Sequence, residues 1–244
     1  MLQNGKFLAF DTSTDMMSVA VTDGARVWQH TGPGGAKAST TLIPAILALL
    51  LDAGLSLGDL QAIAFGRGPG SFTGLRTACA VAQGLAFGVN AGAAIAVLPI
   101  DTLMAVAEEA HQYHEPAHIT ALLDARMDEM YVQRYACNQG VLMPLEVLTP
   151  LGECALIRPE DLESDHSTLY AGNVFEVYNT RLPAGMNIFG CLPTATAMLR
   201  LAPGLAAQGQ CVAAELALPL YVRDKVALTT QERDQVKALK LLAA

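Results

Sequence analysis

Charge is in short supply in this sequence. Only 16% of its 244 residues are Asp, Glu, Lys or Arg, against roughly 25% in ordinary soluble domains. Basic residues are scarcest: 15 Lys and Arg face 23 Asp and Glu, for a net charge of −8. Such a chain lacks the basic footprint from which autonomous nucleic-acid binding draws most of its affinity, and it does not suit docking on an anionic membrane. Closely spaced cysteines are missing too. The five, at positions 79, 137, 154, 191 and 211, form no C-x-x-C pair and no zinc ribbon; their number and spacing fit reduced thiols in a cytosolic protein. The opening apolar run meets Asp11 too early for a signal-peptide core. Residues 77–100 carry no charge and pass a crude membrane-span length test. Gly84, Gly88, Asn90, Gly92 and Pro99 interrupt them, so the stretch reads as a helix, a turn at 89–92 and a strand. What the chain has instead is hydrophobicity, 52% of residues. It is long enough to bury a full core unaided. With so little charge, either much of it is internal or part of its surface meets a partner.

The pattern opens as a meander, with strands over 6–10, 18–22 and 26–30 and a hairpin signal at Asp23-Gly24. After a Gly/Pro-rich loop at 31–38, Ser39, Thr40 or Thr41 can cap a helix that Gly54 stops. A strand over 60–65 enters Gly66-Arg67-Gly68-Pro69-Gly70-Ser71-Phe72-Thr73-Gly74, and a helix over 73–87 follows. Then come a strand at 94–97, a helix at 102–111 capped by Asp101, and a strand pair at 119–124 and 130–136. Periodicity weakens over 142–169. A Pro/Gly-broken stretch covers 182–192, and two short helices are expected at 194–201 and 204–208. No repeat of solenoid period is present. The alternation predicts an α/β fold of two lobes: 1–101, 102–222 with a helix free to return to the first lobe, and a tail at 223–244.

The glycine-rich loop between strand and helix is the strongest local feature. It suits a phosphate, because the helix N-terminus offers free N–H groups. It equally suits a close-packed helix–helix or subunit contact that needs small residues. No Lys-Ser/Thr follows the glycines, the G-x-G-x-x-G fingerprint fails, and Phe72 stands where a hydrolase elbow needs Ser. On the phosphate reading the site is Asp11, Thr12, Ser13, Gly68, Gly70 and Ser71, with Asp11 on Mg²⁺. The favoured reading of residues 11–14 is a turn whose side chains cap local backbone. His114-Glu115-Pro116-Ala117-His118 matches H-E-x-x-H, a zinc motif only on a helix; Pro116 opposes that helix, and loop histidines are expected. Residues 41–53 are apolar almost all round, and too few to span a bilayer. A shared partner face is expected there, over Leu42, Ile43, Ile46, Leu47 and Leu50, joined by Gly74, Ala78 and Ala82 of the next helix. Ile46→Asp should then abolish assembly and leave a folded monomer, provided Ile46 faces outward.

The segment AFGRGPGSFTGLRTACAVAQGLAFG (64–88) closely resembles the signature of the TsaB (YeaZ) family. FLAFDTSTDMMSVAV, LLDARMDEMYVQRY (122–135) and PLYVRDKVA (219–227) resemble further family elements, in family order; 142–218 matches poorly, and Ala38 stands where the family often has His. The resemblance implies the two-lobed actin/Hsp70/sugar-kinase (ASKHA) fold. It implies a place in the bacterial machinery that makes threonylcarbamoyladenosine at adenosine 37 of tRNAs reading codons that begin with A. It also implies a catalytic paralogue, TsaD, an ATPase, TsaE, a homodimer when alone, tRNA contact only through the complex, and a cytoplasmic location. TsaD holds its metal with an H-x-x-x-H pair just after the strand that follows the glycine-loop helix. The corresponding residues here, 97–103, contain no His. A catalytically silent scaffold is therefore expected, with no metal and no tightly bound cofactor, and ATP or ADP binding weak. The alternatives are an active phosphotransferase of the same fold and a zinc peptidase using His114 and His118.

Overall fold

The computed structural model describes residues 5–88, 95–114, 118–137, 148–150 and 153–223. Two mixed sheets share one wiring. In the first, β1 (Phe7–Asp11), β2 (Met16–Thr22) and β3 (Val27–Pro33) form an antiparallel meander, and β4 (Ala62–Gly68) and β5 (Ala96–Asp101) extend it in parallel from β1, in the order β3-β2-β1-β4-β5. In the second, β6 (His118–Arg126) pairs antiparallel with β7 (Glu129–Cys137), which pairs with β8 (Leu148–Pro150) and β9 (Ala155–Ile157). On the other side of β6, β10 (Leu169–Gly172) and β11 (Asn187–Gly190) run parallel to it. The order β8-β7-β6-β10-β11 repeats that of the first sheet. This is the two-lobed α/β architecture expected.

Each sheet face is covered by what the pattern supplies. α1 (Ala38–Ala53) and α2 (Phe72–Gly88) cover one face of the first sheet, over a core of Leu8, Phe10, Val19, Val21, Ile63 and Phe65. On α1, Leu42, Ile46, Leu49 and Leu50 recur at helical spacing and are buried, each stabilising by roughly 1.5–3 kcal/mol. Gly54 ends the helix in the left-handed conformation, φ 67°, which a glycine adopts at little cost. No side chain caps its start; the Thr40 and Thr41 hydroxyls donate to the Lys37 carbonyl instead. On the opposite face lies α4 (Ala195–Ala207), burying Met198, Leu199, Ala202 and Leu205 against Ala9, Ala20, Ala64 and Leu98. α3 (Thr102–His114) packs on the second sheet through Leu103, Val106, Ala107 and Ala110. Arg200 of α4 joins these two helices, 2.7 Å from Glu108 and 3.0 Å from Glu109. Burial pushes the Glu108 carboxyl up, and Arg200 opposes that shift.

Several expectations need correcting. The two short helices at 194–208 are one, with Pro203 inside it. The Pro/Gly-broken stretch holds a strand, β11, at the edge of its sheet. Pro99 lies within β5, also an edge strand, where no ladder donor is needed from it. The turn expected at 89–92 falls outside the described residues. Among those described, no helix is long and apolar enough to cross a membrane.

Candidate functional site

The glycine loop and the two strand turns meet in a cleft between the sheets of about 360 Å³. Its walls include Ser13 and Asp15 after β1, Ser71 before α2, Asp124 and Arg126 at the β6–β7 turn, and Arg223 near the C-terminus.

Asp11 ends β1 and is buried. Its Oδ1 accepts from the Ser13 backbone at 2.8 Å and from the Ser13 hydroxyl at 2.6 Å, and Thr102 Oγ1 stands 3.4 Å from Oδ2. Burial raises the Asp11 carboxyl above its usual range; the Ser13 and Thr102 bonds pull it partly back. Thr12 donates to the Gly74 carbonyl at 2.7 Å, and Ser71 N–H donates to the Ser13 carbonyl at 2.7 Å. The glycines answer this closeness. A Cβ on Gly66 would sit 1.8 Å from Asp11 Oδ2, one on Gly70 2.7 Å from the Ser13 carbonyl, and one on Gly74 1.8 Å from the Thr12 carbonyl. Asp11, Thr12, Ser13, Gly70 and Ser71 therefore do come together; Asp11, Ser13 and Ser71 bond among themselves, and Thr12 bonds to Gly74. The loop is closely packed, but against the turn at 11–13 of its own lobe and not against another helix or subunit. Gly68, the remaining member, faces the Leu220 carbonyl.

The β6–β7 turn closes the cleft from the other lobe. Arg126, Met127 and Asp128 all take left-handed backbone, φ 60°, 56° and 62°, a conformation costly for residues with a Cβ. Arg126 reaches across to Asp15 at 2.7 Å. Tyr178 donates to Asp124 Oδ1 at 2.8 Å, and burial together with that bond pushes its hydroxyl up to about 12. Among the described residues no buried side-chain nitrogen or oxygen lacks a hydrogen-bond partner. The roles of Asp15, Arg126, Tyr221 and Arg223 were not read from the sequence, although three of the quoted segments contain all four. A contact between turns of different lobes leaves no local spacing to detect.

The zinc motif does not form on a helix. His114 ends α3, with its ring 4.7 Å from that of Phe189, and His118 begins β6. Two histidines on different elements lack the one-face projection that H-E-x-x-H requires.

The expected partner face also changes. Leu42, Ile46, Leu50, Gly74, Ala78 and Ala82 all point into the chain's own core. The sheet claims that side of both helices, so Ile46 does not face outward. Ile43 and Leu47 do reach the surface, at 43% and 52% exposure, and Leu51 joins them at 79%. On α2 the outward residues are Phe72, Thr73, Arg76, Ala80, Gly84 and Phe87. A groove at the C-terminal ends of α1 and α2, lined by Leu47, Leu51, Leu55, Leu57 and Gly88, continues this apolar surface.

Comparison with known proteins agrees with the fold. The family described as "TsaD: tRNA N6-adenosine threonylcarbamoyltransferase" matches residues 34–217. The tRNA threonylcarbamoyladenosine biosynthesis protein TsaB of Escherichia coli is 33% identical over 231 residues, 91% of this chain and 96% of that one. Its namesake from Haemophilus influenzae is 31% identical over 233 residues, 92% and 96% of the two chains. The solved structure of YeaZ from Pseudomonas aeruginosa superposes with a TM-score of 0.79 at 34% identity, covering 89% of this chain and all of that one.

Proposed function

Because the chain belongs to the TsaB (YeaZ) family, we propose that it serves tRNA threonylcarbamoyladenosine biosynthesis as a non-catalytic scaffold that activates a catalytic paralogue of the TsaD type. The observation that carries this reading is the packing of the glycine loop. Its Ser71 N–H donates to the Ser13 carbonyl and its Gly74 carbonyl accepts from Thr12, while Asp11, Thr12 and Ser13 of the same chain fill the space over Gly66, Gly70 and Gly74 where a phosphate would approach. A second observation supports it. At the end of β5, where the paralogue's metal pair would stand, Asp101 pairs with Arg67, and Thr102 turns its hydroxyl to Asp11. Transfer chemistry then belongs to the paralogue and ATP turnover to a TsaE-type partner. ATP or ADP binds this chain weakly at most, and tRNA meets it only within the cytoplasmic assembly. The outward faces of α1 and α2 hold a second copy of the chain when it is alone and the paralogue when both are present.

The test is reconstitution. Threonylcarbamoyl incorporation into unmodified tRNA is measured with the paralogue and the ATPase, with and without this chain. Incorporation should require the chain, which alone should produce none. Full incorporation in its absence overturns the scaffold role. ATP turnover by the isolated chain, lost in Asp11→Ala, favours a phosphotransferase instead.

A further inference from the structure

A short segment near the C-terminus, residues 219–223, is held by both lobes at once. We propose that this segment is a clasp that ties the lobes across the cleft and sets their angle without a bound ligand. The inference is independent of the scaffold reading.

The first lobe is gripped through backbone and ring. Leu220 N–H donates to the Arg67 carbonyl at 2.7 Å, within the strand end that leads to the glycine loop. The Leu220 carbonyl lies where a Cβ on Gly68 would be, 2.6 Å from that position, and Gly68 has φ 118°. Any other residue at 68 would both strain the backbone and lift the segment away. Tyr221 packs against Phe72 with ring centroids 5.4 Å apart, and its hydroxyl accepts from Arg76 Nε at 3.0 Å. Arg76 itself lies over the Phe72 ring at 3.8 Å.

The second lobe is gripped through one guanidinium. Arg223 pairs with the Glu129 carboxylate and donates to the Arg126 carbonyl at 3.2 Å. That carbonyl belongs to the left-handed run at 126–128, a turn that needs outside support to persist. Val222 packs on the apolar core beneath. The fork of an arginine fixes direction as well as distance, so the grip resists rotation of one lobe against the other. The Asp15–Arg126 pair runs alongside and closes the same gap.

The full-length chain is labelled with spin-labelled noncanonical residues at Gln29, exposed on β3, and Glu163, exposed in the second lobe. It is diluted into unlabelled protein, and the interlobe distance is measured by pulsed electron resonance. The unaltered chain should give one narrow distance that ATP with Mg²⁺ does not change. Tyr221→Ala with Arg223→Ala should broaden the distribution about twofold or more. A folded double variant that keeps the narrow distance overturns the clasp, as does an ATP-dependent shift in the unaltered chain. Should the double variant not fold, two milder changes decide. Tyr221→Phe removes only the hydroxyl bond, and Arg223→Lys keeps the charge and loses the fork. Intermediate broadening in both supports the clasp; none in either overturns it.

Discussion

Asp11 is a carboxylate whose surroundings determine what it can do. Both of its oxygens already face donors of the same chain, and its burial favours the protonated form. Its folded pKa lies above the ordinary 3.8, so between those two values the folded chain holds more protons than the unfolded one. Stability should fall as pH rises through that window and be flat below it. Asp11→Asn keeps an oxygen for Ser13 and cannot ionise. We expect it to remove that slope in chemical denaturation, match or exceed the wild-type stability at neutral pH, and support tRNA modification in reconstitution. Asp11→Ala leaves buried donors unpaired and should cost about 1–3 kcal/mol. An Asp11→Asn protein that folds normally but abolishes modification would mean that the carboxylate acts chemically. The Asp-x-Ser turn around this residue was legible from local spacing. Its burial under Gly66 was not, because that contact joins residues of different strands.

At the scale of the helix, α2 carries two glycines with opposite meanings. A Cβ on Gly74 would strike the Thr12 carbonyl, a backbone atom that cannot yield, whereas one on Gly84 meets nothing within 4 Å. Gly74→Ala should destabilise by about 1–3 kcal/mol or more. Gly84→Ala should stabilise the monomer by about 0.5–1 kcal/mol through helix propensity. If the outward face of α2 admits another helix, the same Gly84→Ala must weaken assembly. Thermal melts and analytical ultracentrifugation would separate the two effects. An unchanged association constant would remove α2 from the interface.

α1 shows why the sequence resolved the helix and not its faces. Nearly every position from 41 to 53 is apolar, so periodicity gives no direction; the sheet beneath assigns Ile46 inward and Leu47 outward. Ile46→Asp should therefore unfold the monomer, placing an unpaired charge in the core. Leu47→Asp is the informative change. It should leave the circular dichroism and melting temperature near wild type and give a monomer in size-exclusion with light scattering. It should also fail to co-purify with the paralogue. A folded Leu47→Asp protein that still forms both assemblies excludes this helix as their common surface.

The molecule as a whole is a duplicated sheet whose two copies share wiring and almost no readable sequence pattern. The first copy was legible, because β1 to β5 alternate with turn signals and with two long apolar helices. Much of the second copy was not: β8, β9 and β10 have three or four residues each, and β11 sits between prolines and glycines. Strands that short take their structure from neighbours in the sheet rather than from their own composition. Assembly-level behaviour follows from a different global quantity, the net charge of −8. Three of the surface arginines do not offset it locally, since Arg26, Arg126 and Arg181 each face an aspartate or glutamate of the same chain. A polyanion approaching those three would have to break the pairs, and the net charge of −8 opposes it elsewhere. We expect the isolated chain to bind tRNA more weakly than about 10 μM at physiological salt, and its addition to a paralogue–tRNA mixture to raise affinity without steepening the salt dependence. Fluorescence anisotropy across a salt series, with and without the paralogue, reads both quantities. Sub-micromolar binding by the chain alone, falling steeply with salt, would mean that a phosphate-binding surface exists on this subunit and that tRNA is not delivered through the complex.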